Sequence, residues 1–215
     1  MAQIIPAIIP KSQENLIQIL SLVSSFTHSV QVDIVDGEFV PFVSWPYTEN
    51  ASLSELALVI KDFDVEIDFM ILGPELVVEE YLKAGVTSIV VHLESTKNLD
   101  KILALKEKYS FKLGLSIGND TNLSILTEAI EVADYVQLMG IQHIGSQGQP
   151  FDIRVLDRIR ELKSRYPTLP ISIDGSVNME TASLLVQAGA DRLVSGSAVL
   201  KAEDPQIAYK LLKSL

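Results

Sequence analysis

Cysteine is absent from this chain of 215 residues, which excludes disulfides, thiolate metal sites and thiol catalysis. The absence fixes no compartment, because a chain without cysteine folds equally well in either redox setting. Basic residues are scarce: 17 Lys and Arg stand against 28 Asp and Glu, and the net charge of -11 argues against a binder of nucleic-acid backbones. No apolar stretch reaches the roughly 18 residues that a membrane span needs. The N-terminal Met-Ala-Gln-Ile-Ile-Pro lacks the basic region and long apolar core of a signal peptide. These absences are read as a cytoplasmic protein with neither nucleic acid nor membrane as partner; a homo-oligomer stays open. Missing too is a Gly-x-Gly-x-x-Gly after the first apolar run, where a dinucleotide-binding open sheet would carry its phosphate loop.

What is present is ordinary globular material, 47% hydrophobic and 21% charged, enough to bury one large core. Its organisation is repetitive. Strands are expected over residues 3–9, 29–35, 65–71, 88–92, 112–116, 135–139, 171–174 and 192–195, from short β-branched runs bounded by turn residues. Helical periodicity or helix punctuation follows each of them. Ser12 caps a helix with Leu16, Ile19, Leu20, Val23 and Phe26 on its apolar face, and further helices are expected over 52–63, 74–84, 99–109, 123–132, 153–166, 179–188 and 205–212. Eight βα units in one domain, residues 1–215, predict a (β/α)8 barrel.

Within the second strand, Asp33 sits in the apolar run Val30, Val32, Ile34, Val35, where an ionised side chain is costly without a partner, a metal or a substrate. The Asp36-Gly37 that follows is an ordinary turn signal, which explains Asp36 and leaves Asp33 unexplained. A barrel gathers its strand ends on one face, so Asp33, His92, Met139 and Asp174 are expected to converge there, with Asp68 slightly deeper. Gly175-Ser176 with Val177 after strand seven, and Gly196-Ser197 after strand eight, fall where such barrels bind phosphate through backbone N–H groups. Asp174-Gly175 also reads as a plain turn, and glycines after strands also merely turn the chain.

The residues that carry a resemblance are Asp33-Ile-Val-Asp36-Gly37 with Phe39-Val40-Pro41, Met70 with Pro74, His92-Leu-Glu94, Met139, Gly148-Gln149 with Phe151, Asp174-Gly175 with Val177, and Ser195-Gly196-Ser197-Ala198-Val199. In this order they resemble the ribulose-phosphate 3-epimerase family over nearly the whole chain. The resemblance implies a ribulose-phosphate-binding barrel that interconverts D-ribulose 5-phosphate and D-xylulose 5-phosphate. It makes Asp33 and Asp174 the two acid/base groups on opposite faces of the sugar. Met70, His92, Met139, Gly145, Gly148 and the two glycine turns then surround the substrate.

Three departures from the family pattern stand out. Two histidines among the family's four ligands to a divalent metal are replaced by Gln31 and Asp68, a serine at the end of strand one is Ala7, and the loop after strand six reads Gln142-His143-Ile144-Gly145-Ser146-Gln147, one residue longer. Two consequences are open. Gln31, Asp33, Asp68 and Asp174 form an all-oxygen site that favours Mg2+ or Mn2+ over Zn2+. Alternatively no metal binds, and Lys11 or a protonated Asp68 relieves the repulsion among three carboxylates. His92 and His143 are either further ligands and donors or satisfied structural groups. The functional reading is an epimerase acting on a phosphosugar, with a binding protein that has lost turnover, or an epimerase of another phosphosugar, as alternatives. A barrel decarboxylase or aldolase would carry Asp-x-Lys-x-x-Asp on the second strand, and Val35 occupies the lysine position.

Overall fold

The structure is a computed structural model describing residues 2–49 and 52–215. Eight parallel strands close in sequence order into a barrel: β1 (Gln3–Ile8), β2 (Ser29–Val35), β3 (Asp64–Met70), β4 (Ser88–His92), β5 (Lys112–Ile117), β6 (Tyr135–Met139), β7 (Ile171–Asp174) and β8 (Arg192–Ser195), with β8 paired to β1. Closure follows from strand chemistry. Alternate residues such as Val30, Val32 and Ile34, or Val65, Ile67 and Phe69, join one apolar cluster with the helix residues Leu16, Leu20, Val23 and Leu56. Their neighbours Gln31, Asp33, Glu66 and Asp68 therefore point into the lumen, as the twofold side-chain period requires.

The lumen is unusually polar for this architecture, where branched apolar residues dominate. Gln31, Asp33, Glu66, Asp68, His92, Ser116, Gln137, Ser172 and Asp174 are all buried, and the inward apolar side chains beside them include Ile5, Ala7, Val35, Met70, Val90, Tyr135, Met139 and Val194. Register sets the active layer. Asp33 lies opposite Asp68 across β2 and β3, and Met139 opposite Asp174 across β6 and β7.

The outer ring consists of α1 (Gln13–Val23), α2 (Leu56–Ile60), α3 (Val78–Lys83), α4 (Leu99–Ala104), α5 (Ser124–Thr127), α6 (Arg154–Arg165), α7 (Ala182–Ala188), α8 (Ser197–Leu200) and α9 (Pro205–Lys213). Ser12 caps α1 by accepting from the Asn15 N–H, as its sequence position predicts. The helices expected over 52–63, 74–84, 99–109 and 123–132 are shorter, each sharing its segment with a 3-10 turn (Leu53–Glu55, Pro74–Leu76, Leu105–Glu107, Ile130–Val132). Periodicity reports a buried face, which a 3-10 turn presents as well as an α-helix does. α7 starts three residues later than expected because Asn178 accepts from the Glu180 and Thr181 N–H groups, making a side-chain-stabilised turn ahead of the helix. The four-residue α8 was not foreseen, being too short to show a period.

Candidate active site

A cavity of about 240 Å³ opens at the C-terminal ends of the strands, and it is lined by Asp33, Met70, Asp174, the two glycine turns after β7 and β8, and residues 145–149 after β6. One end is built from backbone. Gly175 and Ser176 both hold positive φ (96° and 54°), a rare conformation for a side-chain-bearing residue, and Ser176 is the single non-glycine with positive φ among the described residues. The turn is locked from behind: the Ser176 carbonyl accepts from Thr181 Oγ1 at 2.7 Å and from Asn178 Nδ2 at 3.3 Å. Ser195 Oγ donates to the Val177 carbonyl at 2.8 Å, tying the β8 end to this turn. Beyond it Gly196 precedes α8, whose first N–H groups have no acceptor within the helix. Two loops thus bring their backbone to one end of the cavity, and N–H groups at turns of this kind are common phosphate ligands.

The other end is built from carboxyl groups. Asp33 and Asp174 are 3% and 8% exposed and both line the cavity, whereas Asp68 is fully buried beneath them. Gln31 Nε2 donates to Asp33 Oδ1 at 3.0 Å; Asp68 accepts from Gln137 Nε2 at 2.7 Å on one oxygen and meets His92 Nε2 at 3.2 Å on the other. Burial first, then the Asp174 and Asp68 carboxylates, push Asp33 well above the usual carboxylate range, with the Gln31 hydrogen bond opposing. Asp174 is pushed up to about 7, by burial and then by Asp68, against His92 and the Gly175 N–H. Burial pulls the His92 imidazole down, but the charge and hydrogen bond of Asp68 outweigh it and the net displacement is upward. Burial and neighbouring carboxylate charge thus push both carboxyls toward the protonated form.

Of the residues singled out from sequence, Asp33, Asp174, Met70, Gly145, Gly148, Gly175, Ser176, Val177, Gly196 and Ser197 line the cavity together. Met139 lies beside Asp174 in register but beneath the cavity wall, accepting from Ser116 Oγ at 3.8 Å. His92 is likewise buried under the wall, held by Asp68. His143 is exposed on its loop and outside the cavity, and Lys11 lines a neighbouring cavity instead, so neither meets the carboxylates. Asp36 is structural, its two oxygens accepting from the Glu38, Phe39 and Leu72 N–H groups.

Sequence reasoning missed three residues. Gln137 is a polar side chain at an inward position of an apolar strand, the same signal that marked Asp33. Gln147, in the lengthened loop, donates to the Ala7 carbonyl at 3.3 Å and packs on Gly196, where a β-carbon would lie 2.4 Å from its amide nitrogen. Gly140 donates its N–H to the Asp174 carbonyl at 2.6 Å, and a β-carbon there would meet the Gly175 carbonyl oxygen at 2.2 Å.

The four residues considered for a cation do not fit one. Gln31 turns its nitrogen, not its oxygen, toward Asp33, its own oxygen is buried without a partner, and each Asp68 oxygen already faces one nitrogen. Among the described residues no three acidic or histidine side chains gather closely enough to share an ion.

Known proteins resemble this chain in sequence and in fold. A 3-hexulose-6-phosphate synthase superposes with a TM-score of 0.70 over 99% of this chain and 98% of its own at 22% identity, which shows the barrel fold alone. The ribulose-phosphate 3-epimerase of Aquifex aeolicus is 31% identical over 202 residues, 92% of this chain and 89% of the relative. That of Bacillus subtilis is 31% identical over 180 residues, 81% of each. A model described as "Ribulose-phosphate 3 epimerase family" matches residues 3–200. With that span covered, this barrel of paired aspartates and glycine turns belongs to the ribulose-phosphate 3-epimerase family, whose named relatives are isomerases.

Proposed function

We propose that the protein interconverts D-ribulose 5-phosphate and D-xylulose 5-phosphate by inverting the carbon next to the ketone. One observation carries the reading: two buried carboxyl groups that resist ionisation share a cavity with a phosphate-type cradle of backbone donors. The phosphoryl group docks on Gly175, Ser176 and Val177 of one turn and on Gly196 and Ser197 of the other, which fixes the distance from phosphate to reacting carbon. Asp33 and Asp174 then stand at the sugar end, with Met70 on the wall between them and the loop carrying Gly145 and Gly148 above. The ionised member of the pair takes the proton from the carbon, the electron pair moves onto the ketone oxygen, and it returns to the carbon to re-form the ketone as the protonated member delivers its proton to the opposite face. Each turnover leaves the pair with one proton, now on the other carboxyl, ready for the reverse reaction.

The test is incubation of ribulose 5-phosphate with the protein in D2O. Xylulose 5-phosphate carrying deuterium at the inverted carbon in a single turnover is expected, because the delivering carboxyl has exchanged with solvent. Asp33→Asn and Asp174→Asn should each lose a factor of about 10² to 10⁴ in turnover while still binding the sugar phosphate. Wild-type protein that binds the sugar phosphate without any exchange would show a binding protein that has lost turnover, and no binding at all would sink the reading.

A further inference from the structure

Two amide side chains occupy this lumen in places where they have no packing reason to be polar. Gln31 and Gln137 are fully buried on β2 and β6, and an apolar residue would fill either position without leaving polar atoms to satisfy. Each directs its nitrogen at a carboxylate: Gln31 at Asp33, 3.0 Å away, and Gln137 at Asp68, 2.7 Å away. With the carboxyls ionised, reversing either amide would set its oxygen against a carboxylate oxygen, so donation is the direction that suits the charged partners. His92 completes the arrangement from β4, on the second Asp68 oxygen. One group thus lies within β2 at the cavity lining, and the other joins side chains of β3, β4 and β6 beneath it.

A divalent cation placed among these carboxylates would compete with the nitrogens that already face them, from Gln31 on Asp33 and from Gln137 and His92 on Asp68, while the amide oxygens of Gln31 and Gln137 point away and are buried without a partner. Its approach to Asp68 would have to break the hydrogen bonds to both Gln137 and His92, in a region that solvent does not reach. Imidazoles at positions 31 and 68 would have supplied nitrogen ligands; in their place a glutamine donates to Asp33 and an aspartate faces nitrogens of two neighbouring side chains.

We propose that in this chain an internal hydrogen-bonded array replaces the cation, with Gln31 and Gln137 as positioning residues that hold Asp33 and Asp68 by N–H donation. The proposal rests on the epimerase reading only for what the array serves; the absence of a resident ion is a property of the folded protein and is measured without turnover. Amide donors fix the direction of a carboxylate as a cation would, and among the described residues they leave Asp33 and Asp174 as the ionisable groups that line the cavity.

Protein purified without chelator and analysed for metals should hold far less than one ion per chain, and neither EDTA nor added Mn2+ or Zn2+ should move its thermal midpoint. About one bound ion per chain, whose removal lowers the midpoint, would overturn the proposal whether or not the protein turns over ribulose 5-phosphate. The double substitution Gln31→His with Asp68→His removes the donor and the occupied acceptor together, and it should gain a zinc ion that EDTA strips. If that variant fails to fold, the wild-type metal content still decides. For the positioning role, Gln31→Met keeps the volume and removes the donor. It should lower kcat by about tenfold, leave KM for the sugar phosphate nearly unchanged, and shift the pH profile of kcat. A Gln31→Met enzyme with unaltered kcat and pH profile would show that Gln31 merely fills space.

Discussion

The two ends of the barrel lumen treat a buried carboxylate in opposite ways. At the floor, Glu66 is 4% exposed, yet Arg192 lies 2.6 Å from it, the Tyr135 hydroxyl donates to the same oxygen, and the guanidinium rests 4.2 Å from the centre of the Tyr135 ring. At the mouth, Asp33, Asp68 and Asp174 are as deeply buried, and their only salt-bridge partner among the described residues is His92, on Asp68. Charge is matched at the floor and left unmatched at the mouth, where the proposed reaction requires a proton to move. The chain tolerates the second arrangement because the surrounding barrel is over-determined by its apolar outer shell, as functional sites in general require. Burial of a carboxylate is therefore not by itself a functional signal; burial without a cation is.

Breaking the floor should have the largest effect. Arg192→Met leaves Glu66 buried without its counter-charge, and removing one partner of such a pair typically costs about 3–5 kcal/mol. The double variant with Glu66→Gln should recover most of that loss, since the stranded charge is then gone. Urea denaturation of the three proteins measures both numbers. A loss near zero for Arg192→Met would mean that floor and mouth are not different in kind.

The mouth should respond in the opposite direction, and the response depends on pH. Asp174 has its folded-state pKa raised from 3.8 to about 7. Between those values the folded protein keeps a proton that the unfolded chain releases, so stability falls as pH rises from about 4 to about 7 and is flat beyond. Asp174→Asn abolishes this loss. The variant should gain up to about 4 kcal/mol over wild type at pH 8 and little at pH 4, while losing turnover. Unfolding free energies at the two pH values decide, and an equal difference at both would assign the effect to packing rather than to charge.

How much of this contrast the sequence displays depends on which atoms carry it. The barrel is written in the alternation of strands such as Ser29–Val35, where burial alone decides which residues face outward, and the eight strands appear close to their expected bounds. Asp33, Asp174 and the two glycine turns are legible because residue type and position on a strand end are enough. Gln137, Gln147 and Arg192 are not, because their meaning lies in partners far along the chain: Asp68, Ala7 and Glu66 are 69, 140 and 126 residues away. The 3-10 turns that shorten four helices escape for the converse reason, since they share the buried face on which periodicity depends.

The smallest effect tests whether the mouth is also costly in backbone. Ser176 stands at φ 54° between a glycine turn and an anchored carbonyl, a conformation that costs a residue with a β-carbon roughly 1–2 kcal/mol. Ser176→Gly removes that strain, but it also loosens the unfolded chain, which offsets roughly 0.4–1 kcal/mol of the gain. A net stabilisation of about half to one kcal/mol is expected, read as a higher urea midpoint with an unchanged slope. Ser176→Ala serves as the control, because it keeps the β-carbon and deletes only the hydroxyl; strain predicts no gain for alanine and a gain for glycine. Should both variants be destabilised alike, the hydroxyl holds the turn, and the unmatched carboxylates alone distinguish the mouth from the floor. If glycine alone stabilises, backbone strain joins unmatched charge at the end of the lumen where the substrate is expected to bind, and the floor carries neither.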